Sequence, residues 1–416
     1  MDITLAYAIV LGSCLGIMVL LRPVRRFAST CQWTAKHLTF QAVLRQGKYI
    51  DRWSRADIVL TMMYLGANMT CVLVYFPGMT QAGFRAGRLS IINTILLFAG
   101  PHISFVADML GVSIRTCRRL HVLAGLVAIL LAVFHAIVGA ATRGTFSLQT
   151  PRNLWVLTAI LSFCVQLIPL ALRHLSYEID LRIHQLLSFV FAYAVWRHIP
   201  SVGLFPRLYL YIASGIFLTA VALRLGLVCY RNKLGLCRAR ISYDLNTIKV
   251  RLHLHRPLKL DAEQYINLWL PAASFWSLTQ THPFTVVSWS HKPQEFLDLF
   301  LQPRRGFTND LNSLSEYGPT TSIVLFSGPH GQPWRTDGYE NILLIATGFG
   351  IAAHLPYLRK LIYDHHTRTV PLRRIHLVWQ IDDLVSTAGS FQDELMALLR
   401  ADAYNNLDMM LMEYQP

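Results

Sequence analysis

The chain has 416 residues, of which 53% are hydrophobic and only 15% are charged, and its mean hydropathy is positive. This composition excludes an ordinary soluble globular protein, which would carry more charge, and favours a multi-span membrane protein. The formal net charge of +15 does not indicate nucleic-acid binding. No nucleic-acid motif is present, and basic residues collect in the cytoplasmic loops of membrane proteins.

Seven apolar stretches are long enough to cross a bilayer as helices, which takes roughly 20 residues. The first is interpreted as a retained helix, with a signal peptide as the alternative, because its apolar run is long and no basic residue precedes it. The seven cysteines are scattered and are predicted to be packing residues. The seven stretches lie at about 3–21, 57–76, 89–106, 119–141, 153–172, 182–199 and 207–230.

Basic residues predict the orientation of these helices. If seven spans alternate, the basic segment 22–55, the loop at 115–119 and the exit of the last span at 231–240 lie on one side of the membrane. The positive-inside rule assigns that side to the cytosol. The N-terminus is therefore expected outside, and everything after about residue 231 in the cytosol.

The fourth and sixth spans each carry two histidines that are fourteen residues apart, His121 with His135 and His184 with His198. Fourteen residues return a helix to within about 40° of the same face and raise it about 21 Å. Both helices run outward, so His121 is level with His184 (the inner pair) and His135 with His198 (the outer pair). Two facing imidazoles suit a bis-histidine haem, which predicts two haems b with these four histidines as iron ligands. The alternative is that neighbouring helices satisfy them, but ionisable groups at membrane depth are usually functional.

Three arginines lie close to these histidines in the sequence, namely Arg118, Arg119 and Arg197. One interpretation is that they pair with haem propionates. The other is that they are interfacial charges whose long side chains reach the membrane surface. The sequence leaves both interpretations open.

After about residue 231 the pattern changes to short strands. Residues 247–256, TIKVRLHLHR, alternate apolar and polar positions, and QYINLWLP, FTVVSWS and TSIVLFSG follow. An antiparallel β-barrel is predicted. From Asn341 a strand, a glycine turn, a helix and the strand RIHLVWQI form a βαβ unit. The expected fold is thus a multi-pass α-helical membrane domain, a β-barrel and an α/β nucleotide-binding domain.

The stretch HPFTVVSW carries residues suited to a flavin. Phe284 can lie against the flavin ring, and the Thr285 hydroxyl can bond a ring nitrogen. A four-residue motif is a modest signal, and His282 and Pro283 can equally be the ordinary start of a strand.

The following stretch RRGFTNDL predicts a helix start that binds phosphate. Thr308 is expected to be the N-cap after the turn at Gly306, with Phe307 between them. Free amides at a helix start, with Arg304 and Arg305 beside them, suit a phosphate. Ordinary capping is the alternative.

Two glycine-rich turns follow. ATGFGIAAHLPYL comes after an apolar strand and opens a helix, so Gly348 and Gly350 allow a pyrophosphate to approach the backbone at the helix N-terminus. A lone Gly-x-Gly motif is weak evidence for nucleotide binding, but the strand–turn–helix context and Pro356 within the helix strengthen the prediction. The second turn, FSGPHG, is expected to lie alongside the cofactor through Gly328, Pro329 and Gly331.

Taken in order, these motifs cover about 57–385 and resemble the ferric reductase and NADPH oxidase family of transmembrane flavocytochromes, in particular the fungal ferric reductases. The resemblance implies the four histidines as haem ligands, the HPFT residues 282–285 as flavin contacts, and Gly348, Gly350 and Ile351 as nicotinamide-cofactor contacts. It implies four segments: an N-terminal helix and basic segment at 1–56, a haem domain at 57–231, an FAD-binding barrel at 232–335 and an NAD(P)-binding domain at 336–416.

The sequence departs from the family pattern in two places. Glu263 stands where the family usually has glycine, so an altered turn near the flavin is expected. The chain ends at Pro416, whereas family members continue to a Cys-Gly element and a terminal strand. The nucleotide-binding domain is therefore expected to be C-terminally incomplete.

The resemblance implies an NADPH-dependent ferric-chelate reductase of the plasma membrane, with its C-terminal domains in the cytosol. Electrons would pass from NADPH through FAD and two haems to a ferric chelate at the outer face, and no catalytic acid or base is expected. The implied partners are the lipid bilayer and iron or copper uptake proteins. The alternatives are a superoxide-generating NADPH oxidase and a truncated, non-catalytic haem membrane protein.

Overall fold

The computed structural model divides the chain into two compact units, Met1–Val221 and Ala222–Pro416. Most of the basic segment 22–55, and also Arg305, lie outside the described residues. The described residues are 2–20, 37–38, 41–44, 52–75, 78–99, 103–143, 149–168, 177–200, 205–233, 235–244, 246–273, 280–304, 306–315, 318–334, 336–381, 389–402 and 408–414.

The first unit is helical, and helices lie at each of the seven predicted places. The third predicted stretch falls across two helices, α3 and α4, instead of one. A short antiparallel pair of strands, β1 (Ala42–Leu44) and β2 (Trp53–Ser54), precedes the second helix. The helices are α1 Ile3–Leu20, α2 Arg55–Leu73, α3 Met79–Phe98, α4 Ile103–Leu110, α5 Ile114–Arg143, α6 Pro151–Val165, α7 Tyr177–His198 and α8 Phe205–Arg231.

Within the described residues, α1, α2, α5 and α8 are long and apolar enough to cross a membrane, and α3 with α4 makes a fifth if the two form one span. The helix α6 has only 15 residues. The helix α7 has 22 residues but includes Asp180 and Arg182, which lower its hydropathy. Large apolar side chains such as Leu186 (64%) and Leu218 (63%) are exposed on this unit, as expected where lipid is the solvent.

A buried polar network joins the first three helices. The Tyr7 hydroxyl donates to Asn93 Oδ1 at 3.0 Å and accepts from Asn68 Nδ2 at 3.0 Å. Asn93 Nδ2 donates to Asn68 Oδ1 at 2.7 Å, and the Tyr64 hydroxyl donates to Asn93 Oδ1. Each polar group has a partner inside an apolar bundle, so the network holds α1 against α2 and α3.

The second unit begins with an antiparallel sheet of the order β6-β5-β8-β3-β4-β7 among the described residues. Alternate residues of these strands are fully buried in one apolar core. A bridge between Val286 and Leu299 joins the two edge strands, so the sheet curls into the predicted barrel. The strands are β3 Cys237–Asp244, β4 Thr247–Leu258, β5 Tyr265–Trp269, β6 His282–Thr285, β7 Gln294–Leu301 and β8 Thr320–His330.

The predicted βαβ unit is confirmed. Parallel strands β9 (Asn341–Thr347) and β10 (Arg374–Gln380) flank α10 (Ile351–His366), while α9 (Phe307–Ser315) belongs to the barrel. Two further elements were not predicted, α11 (Gly389–Asp402) and β11, which spans 408–414 and pairs in parallel with β10. Phe391 of α11 is fully buried in the same core as Trp379.

Candidate functional site

The structure brings the four membrane histidines together as two pairs. The ring centroids of the inner pair, His121 and His184, are 6.1 Å apart, and those of the outer pair, His135 and His198, are 6.5 Å apart. Two metal–nitrogen bonds of about 2 Å, together with the two ring radii, add to roughly 6.3 Å between centroids. The separations therefore fit one metal between each pair of imidazoles.

A hydrogen bond fixes the tautomer of His135 in the outer pair. Its Nδ1 lies 2.9 Å from the carbonyl oxygen of Gly83 on α3. A carbonyl can only accept, so Nδ1 carries the proton and Nε2 keeps its lone pair. Histidine ligands commonly bond a backbone carbonyl through their second nitrogen in this way.

Two glycines of α3 make this close approach possible. A Cβ at Gly87 would lie 2.8 Å from His135 Nδ1, and a Cβ at Gly83 would lie 2.6 Å from Val138 Cγ1. Real Cβ atoms do not occupy such positions without displacing the neighbour. The glycine spacing, one turn apart in GFRAG, was visible in the sequence, but nothing there assigned these residues to His135.

His121 of the inner pair has a different environment. Its Nδ1 is buried, and no hydrogen-bond partner for it lies within the described part of the chain. A buried polar atom without a partner is rare and calls for a ligand, water or ion. The second ring nitrogen of His121 is therefore held differently from that of His135, which donates to the Gly83 carbonyl.

The arginines beside the histidines have partners in the protein. Arg119 Nη1 lies 2.7 Å from Asp57 Oδ2, and the guanidinium lies 5.2 Å from the centre of the Trp53 ring. The Arg197 guanidinium lies 5.5 Å from the centre of the Trp155 ring. Arg119 thus joins α5 to the start of α2, where Asp57 also caps the helix with Ser54.

The predicted flavin motif and the following helix meet through their rings. The rings of His282 and Phe307 stack at 4.1 Å between centroids, and Phe284 lies 6.0 Å from Phe307. Pro283 is exposed, and Thr285 pairs with Tyr265 across the strands. This edge strand and the start of α9 therefore form one surface, with an aromatic face and helix amides that lack intrahelical acceptors.

The prediction that Thr308 is the N-cap of this helix is wrong. The helix begins at Phe307, and Gly306, with φ +83°, precedes it and accepts from the amides of Asn309 and Asp310. The Thr308 hydroxyl instead accepts from the Arg304 amide at 2.8 Å. The left-handed conformation that glycine tolerates, and not a hydroxyl cap, sets the helix start.

Glu263 has a backbone conformation that favours glycine. Its φ is +71°, in the left-handed region that disfavours side chains. The next residue, Gln264, extends toward the predicted cofactor turn, where Nε2 lies 3.4 Å from the Gly331 carbonyl. Gly328 and Gly331 flank Pro329 with φ values of +137° and +103°, so this turn requires glycine at both positions.

The Glu263 carboxylate also reaches the nucleotide-binding domain. It accepts from the Tyr357 hydroxyl of α10 at 2.8 Å, and that hydroxyl accepts from the Trp334 amide at 2.9 Å. Burial raises the pKa of Glu263 and is partly offset by the Tyr357 hydrogen bond. Burial, with the neighbouring carboxylate charge, raises the pKa of Tyr357. The glutamate thus couples the barrel to α10.

The predicted nucleotide turn lies between β9 and α10. Gly348 has φ +48°, its carbonyl accepts from Trp379 Nε1 at 2.9 Å, and a Cβ at Gly350 would meet open space. The backbone at this helix start is therefore accessible to a pyrophosphate. Ile351 and Pro356 are buried in the domain core, so their side chains are packing residues and Ile351 can reach a cofactor only through its backbone.

Comparison with known proteins defines the class of the second unit. Residues 235–334 match the model of an FAD-binding domain, and residues 339–410 match that of the ferric reductase NAD binding domain. The chain therefore has apolar helices that precede an FAD-binding and an NAD-binding domain.

Two fungal proteins are similar to this chain over most of its length. A probable cell surface ferric reductase from Aspergillus oryzae is 27% identical over 351 residues, which is 76% of this chain and 46% of that protein. Ferric/cupric reductase transmembrane component 2 of Saccharomyces cerevisiae is 26% identical over 289 residues, 67% of this chain and 40% of that protein. The resemblance to fungal ferric reductases is confirmed, and the chain spans less than half the length of these two relatives.

Similar solved structures include a phthalate dioxygenase reductase, with a TM-score of 0.33, 18% identity and coverage of 44% of this chain and 52% of that chain. A flavohemoglobin from Malassezia yamatoensis has a TM-score of 0.40 and 16% identity, with coverage of 79% and 83%. Similarity at this level assigns no function.

Proposed function

We propose that this chain carries electrons across a membrane, from cytosolic NADPH through FAD and two bis-histidine haems b to a ferric chelate outside. The observation that carries this proposal is the pair of matched imidazole couples on α5 and α7, with centroids 6.1 and 6.5 Å apart. Ionisable side chains at membrane depth are usually functional, so two such couples support a bound metal at each level.

The membrane histidines would hold the iron. His135, whose Nδ1 proton is directed to the Gly83 carbonyl, offers Nε2 as the ligand atom. His198 faces it, and His121 and His184 form the corresponding couple at the other level. The bilayer-facing apolar side chains of these helices would exclude water from the couples, which favours electron transfer over side reactions.

The second unit would hold the two organic cofactors. Phe284 and Phe307 offer an aromatic face, and the turn at Gly306 exposes the first amides of α9 to a phosphate. Gly348 and Gly350 would cradle the NADPH pyrophosphate. When bound, FAD supplies the exchange between a hydride, which carries two electrons, and the single electrons that haem accepts.

The relatives and the charge pattern support the proposed acceptor and the proposed location. A relative named a cell surface ferric reductase supports a ferric chelate as acceptor and the plasma membrane as location. A relative is named a ferric/cupric reductase, and with iron or copper as the reduced metal we propose coupling to iron or copper uptake proteins. The basic residues near 115–119 and 231–240 support a cytosolic second unit. We also propose domain boundaries at residues 57, 232 and 336.

The test uses the full chain in sealed proteoliposomes, with NADPH added on one side and a ferric chelate on the other. The proposal expects NADPH-dependent iron reduction that persists when superoxide dismutase is present with the chelate. Strong suppression by the dismutase would instead indicate a superoxide-generating oxidase. Absence of NADPH-dependent haem reduction in a preparation that retains FAD would indicate a non-catalytic haem protein.

A further inference from the structure

The end of the last membrane helix carries a cavity that the electron-transfer proposal does not use. It has a volume of about 300 Å³ and is lined by Cys229, Tyr230, Lys233 and Arg256. The first two belong to the last turns of α8, which is a candidate membrane span, and Arg256 lies on β4. The cavity therefore opens where the chain leaves the bilayer.

The lining is cationic. Two of its four residues are basic, and none is acidic. The Arg256 guanidinium lies 4.2 Å from the centre of the Tyr230 ring, yet its Nε is buried without a hydrogen-bond partner in the described part of the chain. A buried donor without an acceptor is costly, so this atom favours an anionic ligand with oxygen acceptors.

The backbone around the cavity is held in place. The adjacent Asn232 is almost fully buried, donates through Nδ2 to the Phe326 carbonyl at 2.9 Å and accepts from Cys237 Sγ at 3.4 Å. Cys237 Sγ also lies 3.2 Å from Nδ1 of His255, the neighbour of Arg256. Both walls of the cavity are thus linked to one another.

Lys233 is held in an unusual conformation. Its φ is +55°, in the left-handed region that costs a non-glycine residue energy, and its amide lies 3.4 Å from the Tyr230 carbonyl. Strain of this kind accompanies functional positions when other observations agree. Here it directs the chain after α8 so that a lysine lines the cavity opposite Arg256.

We infer that this cavity binds the phosphate of an anionic phospholipid in the cytosolic leaflet. The cytosolic leaflet is negatively charged and attracts basic residues that lie next to a membrane span. The lysine and arginine would contact the phosphate oxygens, with Arg256 Nε as a donor, while Tyr230 supports the guanidinium. This binding would anchor the first strands of the barrel at the membrane surface.

The test measures retained phosphatidylserine on the purified full chain by native mass spectrometry, after exchange against phosphatidylcholine. The wild type is expected to retain phosphatidylserine selectively. Arg256→Gln should bind it about tenfold less tightly, the factor expected for loss of one charge-assisted hydrogen bond. The control is Arg240→Gln, an arginine on β3 that is more exposed than Arg256 and does not line the cavity, and it should bind like the wild type.

Three results would overturn the inference. Equal loss in Arg256→Gln and Arg240→Gln would mean diffuse attraction to the membrane. Displacement of the lipid by an equal concentration of inorganic phosphate would mean a soluble ligand. Loss of FAD along with the lipid would place the cavity in the flavin site. If Arg256→Gln does not fold, the test uses Lys233→Gln, a substitution at an exposed position that should also weaken lipid retention. Retention by Lys233→Gln at the level of the wild type would refute the site.

Discussion

The inner and outer histidine pairs have the same spacing along the chain but different surroundings. In the outer pair, His135 donates through Nδ1 to the Gly83 carbonyl on α3. In the inner pair, Nδ1 of His121 is buried and has no such acceptor among the described residues. A repeated helical spacing thus sets where imidazoles lie, whereas the neighbouring helix sets how each is held.

This difference has an electronic consequence. A hydrogen bond from the second ring nitrogen makes an imidazole a more basic ligand and favours the oxidised metal. Under the proposed function, iron held by His135 would be stabilised in its oxidised state by a contact that His121 lacks among the described residues.

The largest effect is expected from removing a ligand. His121→Ala and His135→Ala should each abolish one site, and each should lose about half of the reduced-minus-oxidised haem absorbance. His291→Ala, in the barrel and stacked on Tyr363, is the control and should leave the spectrum unchanged. An unchanged spectrum in either membrane variant would refute that ligand assignment.

A smaller effect is expected where α3 packs on α5. Gly83→Ala should lower the free energy of unfolding by about 1–3 kcal/mol, because its Cβ would lie 2.6 Å from Val138 Cγ1. Adding Val138→Ala removes the clashing methyl groups but leaves Val138 Cβ at 2.8 Å, so it should restore only part of the loss. Thermal unfolding in detergent measures both; a double variant no more stable than Gly83→Ala would contradict the packing.

Gly87→Ala tests the hydrogen bond of the outer pair. The new Cβ would lie 2.8 Å from His135 Nδ1 and should displace it from the Gly83 carbonyl. Redox titration should show one midpoint potential rising by roughly 20–60 mV, the equivalent of one hydrogen bond, with the other unmoved. Gly139→Ala, on α5 with open space around its Cβ, is the control. Equal movement of both potentials would show that the contrast between the pairs is not real.

The smallest effect is expected beside the inner pair. Asp57→Asn removes the ion pair with Arg119 and weakens the cap of α2, which should cost about 1 kcal/mol of stability. Because the Arg119 guanidinium keeps its contact with the Trp53 ring in this variant, neither midpoint potential should change. A shifted potential would instead mean that Arg119 acts on the inner haem.

Much of the fold could be predicted from periodicity. Helical stretches and strands such as β4 and β9 appear where expected, because each has one repeating pattern of burial. The division of the third stretch into α3 and α4 was not predicted, because hydropathy measures how apolar a stretch is and not whether it forms one helix or two. The elements β3, β7, α11 and β11 were also missed, although β3 pairs with the neighbouring strand β4 as a hairpin.

At the candidate site, the spacing of the histidines in the sequence predicted which of them pair but not which residues surround them. The pairing of the four histidines follows from a period of fourteen residues in two parallel helices. The carbonyl of Gly83 and the space at Gly87 depend on how a third helix packs, which no local pattern encodes. The misplaced cap at Thr308 has the same origin, since the φ of Gly306 fixes the helix start.

The most direct test of the account is the haem content of the purified full chain. Two haems b per chain, with the electron paramagnetic resonance signature of low-spin bis-histidine iron, are predicted, and both signals should respond separately to His121→Ala and His135→Ala. A correctly inserted, folded protein with no Soret absorbance would contradict the account.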